Sequence, residues 1–540
     1  LFVRVAVPIP ALDLLTYSIP PGVVPPVVGA RVVVPVGSRL VTGIAVEVDI
    51  RRPNGSEGGL DSGDVKPIHQ VVDADSFVPP DLVALARWTA EYYAAGAGET
   101  ITAVLPPKTR QGGVSGHKTV RMAAITAAGL EVLQSASVTG GLTAKQLQVL
   151  EQLAGVGGGL ATAHLGAQGV ASETITRLAA RGLVALRRDQ VDRDPFDAAP
   201  LAAEPADRNR QLTQEQAEGL DRLRVLADTR AFRVALLHGV TGSGKTEIYI
   251  RLSAAVRASG RNVLMLVPEI ALTPATASLF RQAFGAQVAI LHSALSDGER
   301  HDEWQRIRRG EACFVIGTRS AVFAPLRDVG LIVVDEEHDA SYKQEENPRY
   351  NGRDVAIVRA QRENALIVLA SATPSIESYH NAMIGRYERV VLQRRVKDRP
   401  LPAVTVVDMR EEYATTGPDV VLSRALVEAI SARLASREQA LVLLNRRGFA
   451  TAVFCRQCAG TLECPNCSVS LVIHGEGTAR RARCHYCNYS TRVPTACQVC
   501  AGPYLEQTGF GTERVEAEIR RLWPAARIAR LDRDAIRRKG

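Results

Sequence analysis

The apolar run Val234–Leu237 breaks at Gly239 into Gly239-Val240-Thr241-Gly242-Ser243-Gly244-Lys245-Thr246, and a helical pattern follows. Glycines at this spacing, between a strand and a helix, let successive backbone N–H groups turn inward and cradle phosphate oxygens. The helix N-terminus adds its positive end. Lys245 is placed to reach the β- and γ-phosphates of a nucleoside triphosphate, and the Thr246 hydroxyl to help hold Mg²⁺. A second apolar run, Leu331–Val334, ends in Asp335-Glu336-Glu337-His338. A carboxylate in the position of Asp335 serves the Mg²⁺ hydration shell, and Glu336 is placed to orient and polarise the attacking water. A charge run after a strand is often only a solvated turn. Joined in one sheet to a phosphate loop, this one reads as catalytic.

Eight of nine cysteines fall in four C-x-x-C pairs: Cys455/Cys458, Cys464/Cys467, Cys484/Cys487 and Cys497/Cys500. Each pair presents two thiolates to one tetrahedral ion, so four pairs make two Cys₄ sites, expected to hold two Zn²⁺. Disulfides suit an exported chain, and no secretory signal is visible. Spacing alone permits three groupings of the pairs. Arg480, Arg481, Arg483, Arg492, Tyr486 and Tyr489 lie among them, a basic and aromatic set suited to nucleic acid or a partner protein.

These residues need a scaffold. At 540 residues, with 46% hydrophobic and 23% charged, the chain reads as several soluble domains. No apolar run approaches the roughly 20 residues that span a bilayer, so a cytoplasmic protein without a membrane partner is expected. The net charge of +8 suits nucleic acid but is diffuse. The start at Leu1 rather than Met, and the end at Arg537-Arg538-Lys539-Gly540, read as trimmed.

Residues 1–105 carry short β-branched runs (Val3–Pro8, Arg31–Val36, Thr42–Val48) as in a small sheet or barrel, an exposed loop at Asn54–Gly63 and a helix at Asp81–Tyr93. Residues 106–200 place helical stretches at Thr143–Leu153 and Ser172–Arg181 before Leu183–Arg188, the order of a winged helix, which binds DNA or serves as a spacer. Asp194–Asp207 reads as a linker. Thr213 and Gln216 have capping-box spacing, and the Gln216 amide could instead read an adenine edge. Strands then alternate with helices through Asn262–Val267, Cys313–Ile316, Leu331–Val334 and Ala365–Leu369, a doubly wound sheet with polar groups at its strand C-termini. Cys313 reads as core packing.

The ordered set GVTGSGKTE, LVPEIALTP, GTRSA, DEEHDASYKQ, SATP, LLNRRGFA and GTERVEAEI closely resembles the PriA family of primosomal replication-restart helicases, over essentially the whole chain. The resemblance implies an α/β protein: two RecA-like P-loop NTPase lobes with an inserted double-zinc module, after a β-rich domain and a winged helix. The expected divisions are 1–105, 106–200, lobe 1 at 201–400 and part of lobe 2 at 401–540, with the zinc insertion at 452–503. It implies ATP, Mg²⁺ and two Zn²⁺ as cofactors, with Gln216 as adenine reader beside Gly239–Thr246. Ser371 and Thr373 would couple hydrolysis to lobe movement. The outer cysteine pairs, 455/458 with 497/500, would share one metal, and the inner pairs, 464/467 with 484/487, the other.

The implied activity is 3′-to-5′ unwinding at stalled or branched forks. The implied partners are single-stranded and branched DNA, primosome proteins and single-stranded-DNA-binding protein. Thr318 and Arg319 would contact the DNA backbone, and Tyr342, Lys343 and Tyr350 would lie in a loop that senses single-stranded DNA, where Pro348 replaces a usual aromatic. A pocket for a nascent 3′ end would fall on Leu15, Thr16, Gly37 and Lys66, although the family usually has Phe-Asp where this chain has Leu15-Thr16. The family's last helicase motifs, with an arginine finger, would follow the segment resembling Leu531–Gly540, so this chain is expected to bind ATP and hydrolyse it poorly. A fork-binding platform that recruits primosome proteins without unwinding is the alternative.

Overall fold

A strand buried on both faces can carry polar chemistry only at its ends, and the central sheet of this chain follows that rule. The computed structural model describes residues 1–50, 65–106, 118–134, 141–156, 158–191, 211–268, 274–396, 402–417, 420–444, 454–455, 457–458, 460–474, 481–502, 505–506 and 512–531. The loop at Asn54–Gly63, the linker at Asp194–Asp207, Glu269–Thr273, Asn445–Ala450 and Arg480 lie outside the described residues. The chain divides into two compact units, Leu1–Pro400 and Leu401–Gly540.

The first unit opens with strands β1 (Phe2–Ala6), β2 (Leu15–Ser18), β3 (Arg31–Val36), β4 (Arg39–Ile50) and β5 (Gln70–Val71). They form an antiparallel sheet in the order β2-β1-β4-β3-β5. Alternation sends Val3, Val5, Val32 and Val34 into its core. Helices α1 (Pro80–Tyr92) and α2 (Ala97–Val104) follow. Ahead of α1, Phe77 stacks on Trp304 at 4.9 Å, with the Arg31 guanidinium 4.2 Å from its ring centroid.

Next come β6 (Lys118–Ile125), α3 (Ala127–Gln134), α4 (Ala144–Ala154), β7 (Leu160–Ala161), α5 (Thr162–Ala167), α6 (Ser172–Ala180) and β8 (Val184–Val191). Thr143 caps α4 and forms a capping box with Gln146. The sequence places one short run, Leu183–Arg188, after the last of these helices. The structure pairs β8 antiparallel with β6, which precedes α3 to α6, from Ile125↔Val184 to Lys118↔Val191, so that the backbone N–H and C=O groups of the two strands satisfy one another.

The large sheet uses α7 (Gln214–Asp228), β9 (Arg233–Gly239), α8 (Lys245–Ala258), β10 (Asn262–Leu266), α9 (Pro274–Phe284), β11 (Val288–Leu291), α10 (Asp297–Arg308), β12 (Phe314–Gly317), β13 (Val329–Asp335), α11 (Gly352–Arg362), β14 (Leu366–Ser371), α12 (Ile376–Met383) and β15 (Glu388–Leu392). Seven strands, all parallel, run in the order β11-β12-β10-β13-β14-β9-β15. Registers Asp335↔Ala370 and Ser371↔His238 bring the ends of β13, β14 and β9 side by side. Cys313 precedes β12 rather than lying within it and is half-buried, so it is not a core residue.

The second unit holds α13 (Met409–Thr416), α14 (Arg424–Ala435), β16 (Phe454–Cys455), β17 (Val472–His474), β18 (Arg481–Arg483), β19 (Ser490–Arg492), β20 (Leu505–Glu506) and α15 (Thr512–Leu522). Its strands form two small antiparallel sheets, β16-β20 and β17-β18-β19. Among the described residues of this unit there is no parallel sheet, and Val404, Val406, Leu441 and Leu443 are more than 80% exposed. No helix among the described residues is long and apolar enough to cross a membrane.

Among the described residues, Arg359 of α11 heads the fully buried side chains by size. Its guanidinium donates to the carbonyls of Val322, Ala324 and Leu326 at 2.7, 3.0 and 2.8 Å and to Glu363 at 2.9 Å. Replacing it with leucine strands three buried carbonyls and removes the charged partner of Glu363, which keeps the Val329 N–H at 2.9 Å, at an expected cost of about 3–5 kcal/mol. Chemical denaturation should show this as a lowered midpoint, and an unchanged midpoint would mean the carbonyls find water instead.

Candidate functional site

Gly242 and Gly244 both sit at φ +81°, a conformation that costs an L-residue roughly 1–2 kcal/mol. These two turns curl the loop between β9 and α8. Around it, a Cβ on Gly244 would stand 2.3 Å from the Gln216 amide, and one on Gly239 would stand 2.7 Å from the Ser243 hydroxyl. The Ser243 hydroxyl is buried with no hydrogen-bond partner. A concave, glycine-lined turn with an unspent donor at a helix N-terminus fits a phosphate chain.

Lys245 opens α8. Its ammonium donates to the Gly239 carbonyl at 2.9 Å and stands 3.8 Å from Glu336. Asp335 closes β13 and accepts from the Tyr249 hydroxyl at 2.7 Å, while the Tyr342 hydroxyl donates to the Asp335 carbonyl at 2.6 Å. Burial pushes the Asp335 carboxyl above its usual range, and the Tyr249 bond opposes that shift. Burial also raises both tyrosines well above the usual phenol range, so both remain donors. Ser371 links the next strand end: its hydroxyl lies 2.8 Å from His338 Nδ1 and 3.4 Å from Glu336, and it accepts from the Thr373 N–H at 2.9 Å.

Gln216 completes the capping box and also reaches the phosphate-loop backbone. Thr213 N–H donates to its Oε1 at 2.9 Å, completing the cap, and its amide donates to the Ser243 carbonyl at 2.7 Å. One amide N–H and one lone pair remain for a base edge.

Several expected DNA contacts are placed differently. Tyr342 is 1% exposed, with its hydroxyl spent on Asp335, so no base stacks on it in this structure. Tyr350 is equally buried, against Phe323. Arg319 donates to the carbonyls of Ser341 and Lys343 at 2.9 and 2.8 Å, clamping the loop instead of facing a phosphate. Thr318 is buried too. Lys343 remains exposed, 5.1 Å above the Tyr93 ring. In the N-terminal sheet, Lys66 donates to the Gly37 carbonyl at 3.5 Å. Leu15 and Thr16 lie on edge strand β2, whose last residue, Ser18, bonds the Lys66 carbonyl at 3.0 Å.

The cysteines fall into two groups, Cys455/Cys458/Cys497/Cys500 and Cys464/Cys467/Cys484/Cys487, with the Sγ atoms of each group within 4.8 Å of one another. This is the nested grouping. Each knuckle has the same local frame: the N–H of its first cysteine donates to the carbonyl five residues on, at 2.8 Å in all four. Ser468, Asn488 and Ala501, each just after a second cysteine, take φ of +51°, +61° and +57°. Further N–H groups point at sulfur: Gly460 to Cys458 at 3.4 Å, Tyr486 to Cys484 at 3.4 Å and Val499 to Cys497 at 3.3 Å. Within each cluster the thiols are shifted apart: the N–H of Tyr489 lowers Cys487 while the bond to Cys487 raises Cys467, and the N–H groups of Cys500 and Val499 lower Cys497. Four converging thiols with N–H groups aimed at sulfur fit a tetrahedral Zn²⁺.

Comparison with known proteins agrees with this geometry. Residues 4–106 match the PriA 3′DNA-binding domain (3′BD), residues 220–382 the DEAD/DEAH box helicase, and residues 464–492 the PriA DNA helicase Cys-rich region (CRR) domain. The replication restart protein PriA of Haemophilus influenzae is 35% identical over 542 residues, covering 100% of this chain and 71% of that protein. This chain belongs to the PriA family. The PriA protein of Bacillus subtilis is 44% identical over 370 residues, 68% of this chain and 45% of that one, so the chain spans about half of that relative. Among solved structures, RecG bound to a three-way DNA junction aligns with a TM-score of 0.26 and 22% identity, over 37% of this chain and 25% of that one.

Sequence reading passed over Tyr249, although its place four residues after Lys245 puts both on one helix face. It also left Glu337 without a role. That carboxylate is 2% exposed and accepts from Arg353, Ser375 and Ser378, and nothing in the run Asp335–His338 distinguishes it from Glu336.

Replacing Cys464 with serine should release about one of two metal equivalents and leave nucleotide affinity unchanged. Metal analysis of the purified variant beside an ATP titration checks this, and unchanged metal content would defeat the assignment.

Proposed function

We propose that this chain carries the ATP-binding engine, the fork-reading domain and the zinc module of an ATP-dependent 3′-to-5′ DNA helicase. Its role is to recognise stalled or branched replication forks and to start replication restart by assembling a primosome. The observation that carries the reading is the meeting of Lys245, Asp335, Glu336 and Ser371 along one sheet edge.

ATP occupies Gly239–Thr246, with Lys245 on its outer phosphates, Thr246 and Asp335 toward Mg²⁺, and Glu336 as the group that orients water. When bound, Mg²⁺ neutralises charge on the phosphates. Gln216 holds the loop and reads the adenine with its remaining donor and acceptor. Ser371 and Thr373, bonded to the acid pair, pass the state of the phosphates onward. Two Zn²⁺ fill the two Cys₄ sites and hold the knuckles.

DNA meets the chain at Lys343 and at the edge of the N-terminal sheet, where Leu15, Thr16, Gly37 and Lys66 receive a strand end. The zinc module offers Arg481, Arg483, Arg492, Tyr486 and Tyr489 to single-stranded DNA or to primosome proteins, including single-stranded-DNA-binding protein. Tyr486 is 81% exposed, which suits stacking. Replication restart at DNA forks, as proposed, is work for the cytoplasm.

Calorimetry should find ATP binding to this chain, and Lys245→Ala should weaken it by roughly 10–100-fold through loss of a charge-assisted contact. ATP turnover should rise with forked DNA in a chain extended to the length of its relatives. Unaltered affinity in Lys245→Ala would sink the nucleotide site. Turnover indifferent to DNA in the extended chain would favour a platform that docks forks without unwinding.

A further inference from the structure

Helix α8 meets the two catalytic carboxylates with two successive turns. Lys245 begins the helix and stands 3.8 Å from Glu336. Tyr249, one turn on, donates to Asp335 Oδ1 at 2.7 Å. Residues four apart share a helix face, so the backbone that fixes one contact fixes the other.

Tyr249 is 1% exposed and packs with Ile248 and Leu252 in the apolar core under the sheet. A phenol there has no water to exchange with, and its single proton goes to Asp335. A hydrogen bond to an ionised group in a dry site is stronger than one at the surface and fixes its direction. The carboxylate is therefore held against rotation, and the backbone carbonyl of Asp335 is pinned separately by the Tyr342 hydroxyl at 2.6 Å.

We infer that Tyr249 is the positioning residue that aims the Asp335 carboxylate at the Mg²⁺ of a bound nucleotide. The inference rests on the proposal that Asp335 faces that ion. Tyr249 touches neither nucleotide nor metal; it acts through Asp335. Its contribution belongs to the metal-bound nucleotide and not to the phosphates that Lys245 and the loop hold by themselves.

The test is calorimetric titration of ATP into the full chain, once with Mg²⁺ and once with EDTA. Tyr249→Phe keeps the ring and removes the donor. Affinity for Mg²⁺–ATP should fall about tenfold, with affinity for metal-free ATP within twofold of the unaltered chain. Equal losses in both titrations would show a merely structural role and overturn the inference. In an Asp335→Asn background, Tyr249→Phe should add no further loss, and additive losses overturn it as well. Should Tyr249→Phe not fold, 3-fluorotyrosine at 249 keeps the shape and strengthens the donor. It should change only the Mg²⁺–ATP affinity, and no change in either titration overturns the assignment. An unaltered chain that binds ATP equally with and without Mg²⁺ removes the reading of Asp335 and this one with it. A Mg²⁺-dependent chain indifferent to Tyr249→Phe removes this one alone.

Discussion

Parallel pairing of β13, β14 and β9 is the constraint on which the site depends. Leu331–Val334, Leu366–Ala370 and Ala235–Leu237 are buried, so these strands have no polar side chain to spend along their length. Chemistry is confined to where each strand leaves the sheet, and parallel direction puts all three exits on one edge. The registers Asp335↔Ala370 and Ser371↔His238 then set the acid, the serine and the phosphate loop within reach of one another. A slip of one residue in β14 would carry Ser371 away from Glu336 and His338 and turn its alternate side chains to the other face.

What could be read from the sequence is what fixed spacing demands. A phosphate loop needs Gly242 and Gly244 at φ +81°, and few sequences offer two such residues just before a Lys-Thr pair. Zinc knuckles need C-x-x-C with a left-handed residue behind it, and Ser468, Asn488 and Ala501 supply that conformation. Both requirements are local, so residue order reports them. Tyr342 and Arg319 are the contrary case. An aromatic and an arginine beside a strand end serve equally well against DNA or against their own chain. Only tertiary packing, which sends Tyr342 to the Asp335 carbonyl and Arg319 to two loop carbonyls, decides between them.

Strand propensity misleads in the same way. Val404–Val407 and Leu441–Leu444 have the composition of buried strands, yet Val406 is 91% exposed and Leu441 is 92% exposed. A strand is a pairing and not a property of one segment, so composition announces a candidate without supplying its neighbour. The zinc module depends less on such pairing: its strands are two or three residues long, and each knuckle closes a hydrogen bond of its own, from the N–H of its first cysteine to the carbonyl five residues on. Knuckles far apart in sequence then meet through sulfur, as Cys455 and Cys500 do at 3.6 Å, where one ion would join them.

The run Asp335-Glu336-Glu337 shows how three adjacent acids come to have three separate roles. Glu336 takes φ +44°, a left-handed conformation that costs a non-glycine residue roughly 1–2 kcal/mol. That turn sends Glu336 toward Lys245 and folds Glu337 back into the protein. Glu337 then accepts from Ser375 N–H at 2.6 Å, the Ser375 and Ser378 hydroxyls at 3.1 and 2.9 Å, and Arg353 at 3.0 Å. Bonds to a charged acceptor contribute about 1.5–3 kcal/mol each, so even part of this set exceeds the strain one residue earlier. Its own N–H is held by the Ala370 carbonyl at 3.0 Å, which ties the turn to β14. The buried acid therefore maintains the strained one, and the strained one keeps a carboxylate beside Lys245 at the mouth of the phosphate loop.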